Sequence, residues 1–301
     1  MRLIDLRCDW ALQYAAETVH FDPNDYAEIP PRVPRLDGYF MGTSLAVLVC
    51  RRKPADWTRQ ADRWHALGEM IARHEAEFSG RLLRGPEDVA RWLAEPADAL
   101  SWGVLAVDGM ENLIREPADL DRIPALFERG VRIFDAIPGN LGRGLLDRLL
   151  ELSPTGEGPC PAVNLVGAEA AAVLDWFESD PTRSERLPLL FTGDLDTLGP
   201  AGVRRLRALG ATIGVRPSLS AEAFREAVAF LAAIPFRGRE GHEGIAVATD
   251  YLDLDEIPSE LADVDRLTGW IEANLPPEVA PLVVAENARQ ALLALAGGLP
   301  K

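Results

Sequence analysis

Residues 187–216 read LPLLFTGDLDTLGPAGVRRLRALGATIGVR, and this stretch decides the fold class. The apolar run Leu187–Phe191 ends at Thr192 and Asp194. A helical pattern occupies Ala201–Leu209, and a second apolar run, Ala211–Val215, ends at Arg216. Apolar runs that are continuous instead of alternating belong to parallel strands covered on both faces.

The same alternation extends along the whole chain. Further strands are expected at Leu3–Leu6, Leu45–Cys50, Gly103–Val107, Val131–Ile137, Ala162–Val166 and Gly244–Ala248. Helical spacing of apolar residues marks Trp57–Phe78, Pro117–Arg129, Ala168–Glu178, Glu222–Ile234, Asp263–Leu275 and Val279–Ala296. Ser220 and Asp263 stand where N-caps belong. Eight strands, each followed by helical material, predict one closed (β/α)8 barrel over residues 1–301. An open doubly wound sheet is the alternative. There is no internal repeat or low-complexity tract, and Ile29–Pro34 reads as an ordered loop after the first strand.

Composition narrows the partners. The 301 residues are 48% hydrophobic and 26% charged, with a formal net charge of −16. Nucleic-acid backbones and anionic membrane surfaces both require clustered Lys and Arg, so neither is an expected partner. No apolar run is long enough to span a bilayer, and the charged opening MRLIDLRCDW lacks the apolar core of a secretory signal. Cys8, Cys50 and Cys160 are an odd count without metal-type spacing and read as buried thiols of a reducing compartment. A cytoplasmic location is the expectation.

Barrel chemistry gathers at the C-terminal ends of the strands. Those ends carry Arg7, Asp9, Asp108, Asp135, Asn164, Thr192, Asp194, Arg216 and Asp250, a polar and mostly acidic set without a histidine. The expected pocket is Arg7, Asp9, Asp108, Asn164, Asp194, Arg216 and Asp250.

The strand ends also carry a resemblance. Ile4-Asp5-Leu6-Arg7-Cys8-Asp9 is similar to the I-D-G-H-N-D of the membrane (renal) dipeptidase family, and Leu105-Ala106-Val107-Asp108-Gly109 to its L-G-I-E-G. Gly130-Val131-Arg132 resembles G-V-R-Y, Ala162–Gly167 resembles V-D-L-S-H, and Pro188–Gly193 resembles P-V-I-A-S-H. Leu209–Val215 is similar to R-G-G-V-I-G-V, Gly244–Asp250 to H-V-G-I-G-T-D, and Ala285-Glu286-Asn287 to a C-terminal G-x-N. The matches run in order across nearly the whole chain. The family's members are amidohydrolase-like barrels that hydrolyse dipeptides with two zinc ions.

Carried over position by position, the resemblance implies metal-ligand positions at Arg7, Asp9, Asp108, Gly167 and Gly193. A catalytic aspartate is implied at Asp250. Only Asp9 and Asp250 keep the family residue; the bridging glutamate is shortened to Asp108, and the three histidines are Arg7, Gly167 and Gly193. A further family histidine falls near Pro138, and the substrate-binding arginine falls near Thr197. Zinc draws most of its affinity from imidazole or thiolate. Glycine offers no side-chain donor, and arginine brings a fixed positive charge. The expectation is therefore no cofactor, with Asp250 vestigial and Arg7 acting as a structural cation among Asp9, Asp108 and Asp250.

The same residues admit other chemistry. Oxygen ligands at Asp9, Asp108, Asp194 and Asp250 suit Mg2+ or Ca2+, though Arg7 opposes a cation. A carboxylate pair of glycosidase type lacks aromatic subsites. Gly139–Gly144 reads as an ordered loop after the fourth strand, and no serine has a partner histidine. His65 and His74 fall on the predicted second helix and His242 at the far end of the barrel, leaving His20 as the histidine able to reach the mouth. Trp57, Trp64, Trp92 and Trp176 read as packing residues, and Trp10 and Trp102 as candidates to line the cavity. The expected function is a dipeptidase-like barrel repurposed for small-molecule binding or scaffolding, with pairing into homodimers implied by the resemblance. The rival is a working hydrolase, with either rewired metal ligands or Asp250 as base.

Overall fold

The computed structural model describes residues 1–9, 39, 41–51, 62–96, 99–153, 158–167, 169–217, 220–251 and 257–297. Trp10, His20, Ile29–Pro34 and Trp57 lie outside them. Eight parallel strands pair in chain order and close into a barrel. They are β1 (Leu3–Cys8), β2 (Thr43–Cys50), β3 (Trp102–Val107), β4 (Val131–Asp135), β5 (Ala162–Leu165), β6 (Leu189–Phe191), β7 (Thr212–Val215) and β8 (Ile245–Val247). Every one falls within a residue or two of an apolar run legible in the sequence. Nearly all their residues are buried, which continuous apolar strands require.

The wall is built of helices α1 (Arg63–Glu77), α2 (Pro86–Ala94), α3 (Met110–Leu113), α4 (Ile123–Arg129), α5 (Gly139–Leu152), α6 (Ala170–Glu178), α7 (Thr182–Arg186), α8 (Leu195–Leu209), α9 (Ala221–Ala232), α10 (Val264–Asn274) and α11 (Asn287–Leu295). Ser220 and Asp263 cap α9 and α10 by accepting from the amides of Ala223 and Arg266. No helix among the described residues is long and apolar enough to cross a membrane.

Three expectations need correction. Gly139–Gly144 is not a loop but the opening turns of α5. Gly142 serves packing: a Cβ on it would stand 1.8 Å from the carbonyl oxygen of Ile137, so only glycine lets the helix lie against the end of β4. Pro117–Arg129 is not one helix; a 3-10 segment, Pro117–Arg122, precedes α4. Trp102 does not line the cavity. It opens β3 at the closed end of the barrel and donates from Nε1 to Glu95 Oε2 at 2.8 Å, against the α2 side of the wall.

Closure between β1 and β8 is reinforced by a side chain. The two strands share one register pair, Asp5 with Val247, and Asp5 bridges the gap beyond it. Its Oδ1 accepts from the amides of Arg7 (3.0 Å) and Thr249 (2.8 Å), and its Oδ2 from the hydroxyls of Tyr39 (2.6 Å) and Thr249 (2.5 Å). Burial pushes the Asp5 carboxyl up to about 6 against these hydrogen bonds. This joint sets the height of Arg7 and Asp250 on adjacent strands.

Candidate functional site

Strand alternation places residues two apart on one face, and Asp5, Arg7 and Asp9 climb β1 in that way. Arg7 ends in the middle of the barrel mouth with 3% of its side chain exposed. Its Nη2 donates to Asp108 Oδ2 at 2.6 Å, and its Nε to Asp250 Oδ1 at 3.0 Å. Asp9 Oδ2 lies 3.5 Å from the same Nε, and Thr192 Oγ1 lies 3.5 Å from Nη1. The guanidinium thus ties β1 to the ends of β3, β6 and β8.

Two further arginines flank it. Arg51, directly after β2, reaches Asp108 Oδ2 at 3.3 Å and Asp9 Oδ2 at 3.8 Å. Arg216, directly after β7, reaches Asp250 Oδ2 at 3.2 Å and donates to the Thr192 carbonyl at 3.0 Å. Asn164 of β5 donates from Nδ2 to Asp135 Oδ1 at 2.8 Å and lies 3.0 Å from Thr192 Oγ1, completing the ring. Asp250 sits at φ 50°, a left-handed conformation that costs a side-chain-bearing residue energy. Its amide is held by the Arg7 carbonyl at 3.1 Å.

Donor counts assign the charges among the carboxyls. Asp108 and Asp250 each receive guanidinium donors, whereas Asp9 Oδ1 and Oδ2 and Asp135 Oδ2 are buried with no hydrogen-bond donor. Burial is the largest influence and raises all four, but around Asp108 the Arg7 charge, the hydrogen bond with Asp135 and the Arg51 charge together outweigh it and hold the carboxyl at about 2. Arg7 and Arg216 likewise hold Asp250 well below the usual carboxylate range. Asp9 is pushed up by burial and by the Asp250 charge beside it, and Asp135 by burial and Asp108. Each raised carboxyl lies beside a lowered one, the division two close carboxyls adopt when ionising both is unfavourable. Burial disfavours a charged Arg7, but Asp9, Asp250 and Asp108 outweigh it and keep its pKa above the ordinary value.

Of the expected pocket, the structure brings together Arg7, Asp9, Asp108, Asn164, Arg216 and Asp250. Asp194 stands apart: it is exposed and caps α8 by accepting from the Asp196 amide at 2.9 Å. Arg51 lies outside the pocket expected from the sequence, although the rule that strand ends carry chemistry, applied to β2, points to it. His65 is exposed, His74 is buried in the α1 packing and His242 precedes β8 at the opposite end.

The two-zinc site implied by the resemblance does not fit these residues. The guanidinium of Arg7 fills the space between the carboxylates that would serve as ligands. Gly167 and Gly193 offer no donor side chains. At Gly193 the backbone has closed in, since a Cβ there would lie 2.3 Å from the Val166 carbonyl oxygen. Among the described residues no group of three or more His, Cys, Asp or Glu side chains is disposed to hold a metal ion.

The fold and site define a closed (β/α)8 barrel whose mouth is crossed by a buried arginine–carboxylate network. No family model matches the chain, and no curated protein matches it.

Proposed function

We propose that this chain is a dipeptidase-like barrel in which Arg7 takes the place of the metal cations, and that its mouth binds a small molecule instead of cleaving peptides. The observation that carries this reading is the position of Arg7, buried and in contact with Asp108, Asp250 and Asp9 at 2.6, 3.0 and 3.5 Å. A guanidinium supplies positive charge and directed N–H donors but has no open coordination position at which water is polarised. Arg7 offsets the carboxylate charge in the mouth while Lewis-acid chemistry is given up.

The rival reading, a metal-independent hydrolase with Asp250 as base, fits less well. Asp250 is paired with two guanidinium groups, and its carboxyl is held low. A base so stabilised in its ionised form draws protons poorly near neutral pH. The test is hydrolysis of Gly-Ala and Ala-Ala with and without added zinc. No turnover above the uncatalysed rate is expected in either condition; zinc-dependent turnover would overturn the proposal.

A further inference from the structure

A cleft of about 650 Å³ opens beside the mouth, between α8 and α9, within the size range of small-molecule sites. Leu195 and Val203 on the α8 side face Phe224, Ala227 and Phe230 on the α9 side. The walls are therefore apolar, and Phe230 remains 39% exposed. The floor is Gly193 and Gly214, which add no side chains, and Arg216. The interruption of α8 at Gly199 and Pro200 borders the same space.

Arg216 is the one cation lining this cleft among the described residues. Its Nε is taken by the Thr192 carbonyl and its Nη2 by Asp250, while Nη1 has no partner among the described residues. Asp250 already serves Arg7, so the charge of Arg216 is only partly compensated. The outer rim carries Asp194, Asp196 and Glu226, all exposed. A second anionic group would be repelled there, so an occupant should have one anionic end and an uncharged, apolar remainder.

We infer that the cleft binds a small amphipathic monocarboxylate, its carboxylate on Arg216 and its tail between α8 and α9. This rests on the reading of the mouth only through Arg216, which both share. Carboxylate suits the fork of a guanidinium, and an alkyl tail suits walls of Leu, Val, Ala and Phe.

The test is calorimetric titration of the full chain with butanoate, hexanoate, octanoate and octan-1-ol. Octanoate should bind, with affinity rising about threefold to fourfold per methylene along the acid series. Octan-1-ol should bind at least tenfold more weakly. Arg216→Gln should remove that advantage of acid over alcohol. Ala227→Phe, which fills the space between the helices, should reduce octanoate binding at least tenfold while the far-ultraviolet dichroism stays that of the parent. Failure of octanoate to bind, equal binding of the alcohol, or parental affinity in Ala227→Phe would each overturn the inference. Dipeptide turnover in the earlier assay would refute the reading of the mouth and leave this result standing.

Discussion

Replacing Arg7 with methionine keeps most of the side chain's volume and removes its charge. Two of its partners, Asp108 and Asp250, are ionised in the native protein. Unit charges about 4 Å apart attract by roughly 4 kcal/mol at an effective permittivity near 20, so the pair supplies on the order of 8 kcal/mol. Burying the guanidinium costs several kcal/mol in return, and breaking such a network leaves uncompensated charge, with a net loss of about 3–5 kcal/mol. That is a large part of a typical total of about 5–15 kcal/mol. Urea unfolding at pH 7 measures it through a lower midpoint at unchanged slope. The variant also makes a sharper prediction. Without the guanidinium, the carboxyls of Asp9, Asp108, Asp135 and Asp250 are left around a vacated space, into which a hard cation can draw them together. Ca2+ or Mg2+ should therefore restore stability to Arg7→Met, by about 1.4 kcal/mol at ten times the dissociation constant, and leave the parent protein unchanged. A variant as stable as the parent, or one indifferent to divalent cations, would refute the claim that Arg7 acts as the cation of the mouth.

Two further predictions follow from the same geometry. Gly193→Ala should be destabilised by about 1–3 kcal/mol or fail to accumulate, because its Cβ would meet the Val166 carbonyl at 2.3 Å; Gly167→Ala, whose nearest neighbour is Glu169 Oε2 at 3.4 Å, should unfold within about 0.5 kcal/mol of the parent. Equal effects of the two, measured by thermal unfolding, would mean that the backbone beside β6 is not closed. Asp5 has a folded pKa raised to about 6 from 3.8, so the folded state holds the extra proton between those values. Stability from this group is present at pH 4, falls by up to about 3 kcal/mol as pH rises to 6, and is flat above. Asp5→Asn, whose amide can still serve Thr249 and Tyr39, should be flatter over that window by a similar amount; an unchanged pH profile in urea titrations would contradict it.

Much of this was legible in the sequence because parallel strands buried on both faces leave continuous apolar runs. The strand-end rule then found Arg7, Asp9, Asp108, Asn164, Arg216 and Asp250 as a group. It misplaced Asp194 because a residue just past a strand serves equally well as a helix cap. Gly139–Gly144 misled because glycine marks both loops and close helix packing, and only the 1.8 Å approach of Gly142 to Ile137 separates them. Arg51 was hidden within a basic run, Arg51-Arg52-Lys53, that resembles an ordinary solvated surface. The opposite pKa shifts within the pairs Asp9–Asp250 and Asp135–Asp108 were beyond reach, since they depend on burial and on the arginines that the closed barrel brings to the mouth.

Positive charge in the barrel mouth is supplied by Arg7, Arg51 and Arg216 of the chain itself. Elemental analysis of protein purified without chelator and without added metal tests it most directly. Zinc well below one equivalent per chain is the predicted result; near-stoichiometric zinc that is lost on mutating Asp9 and Asp250 would contradict it.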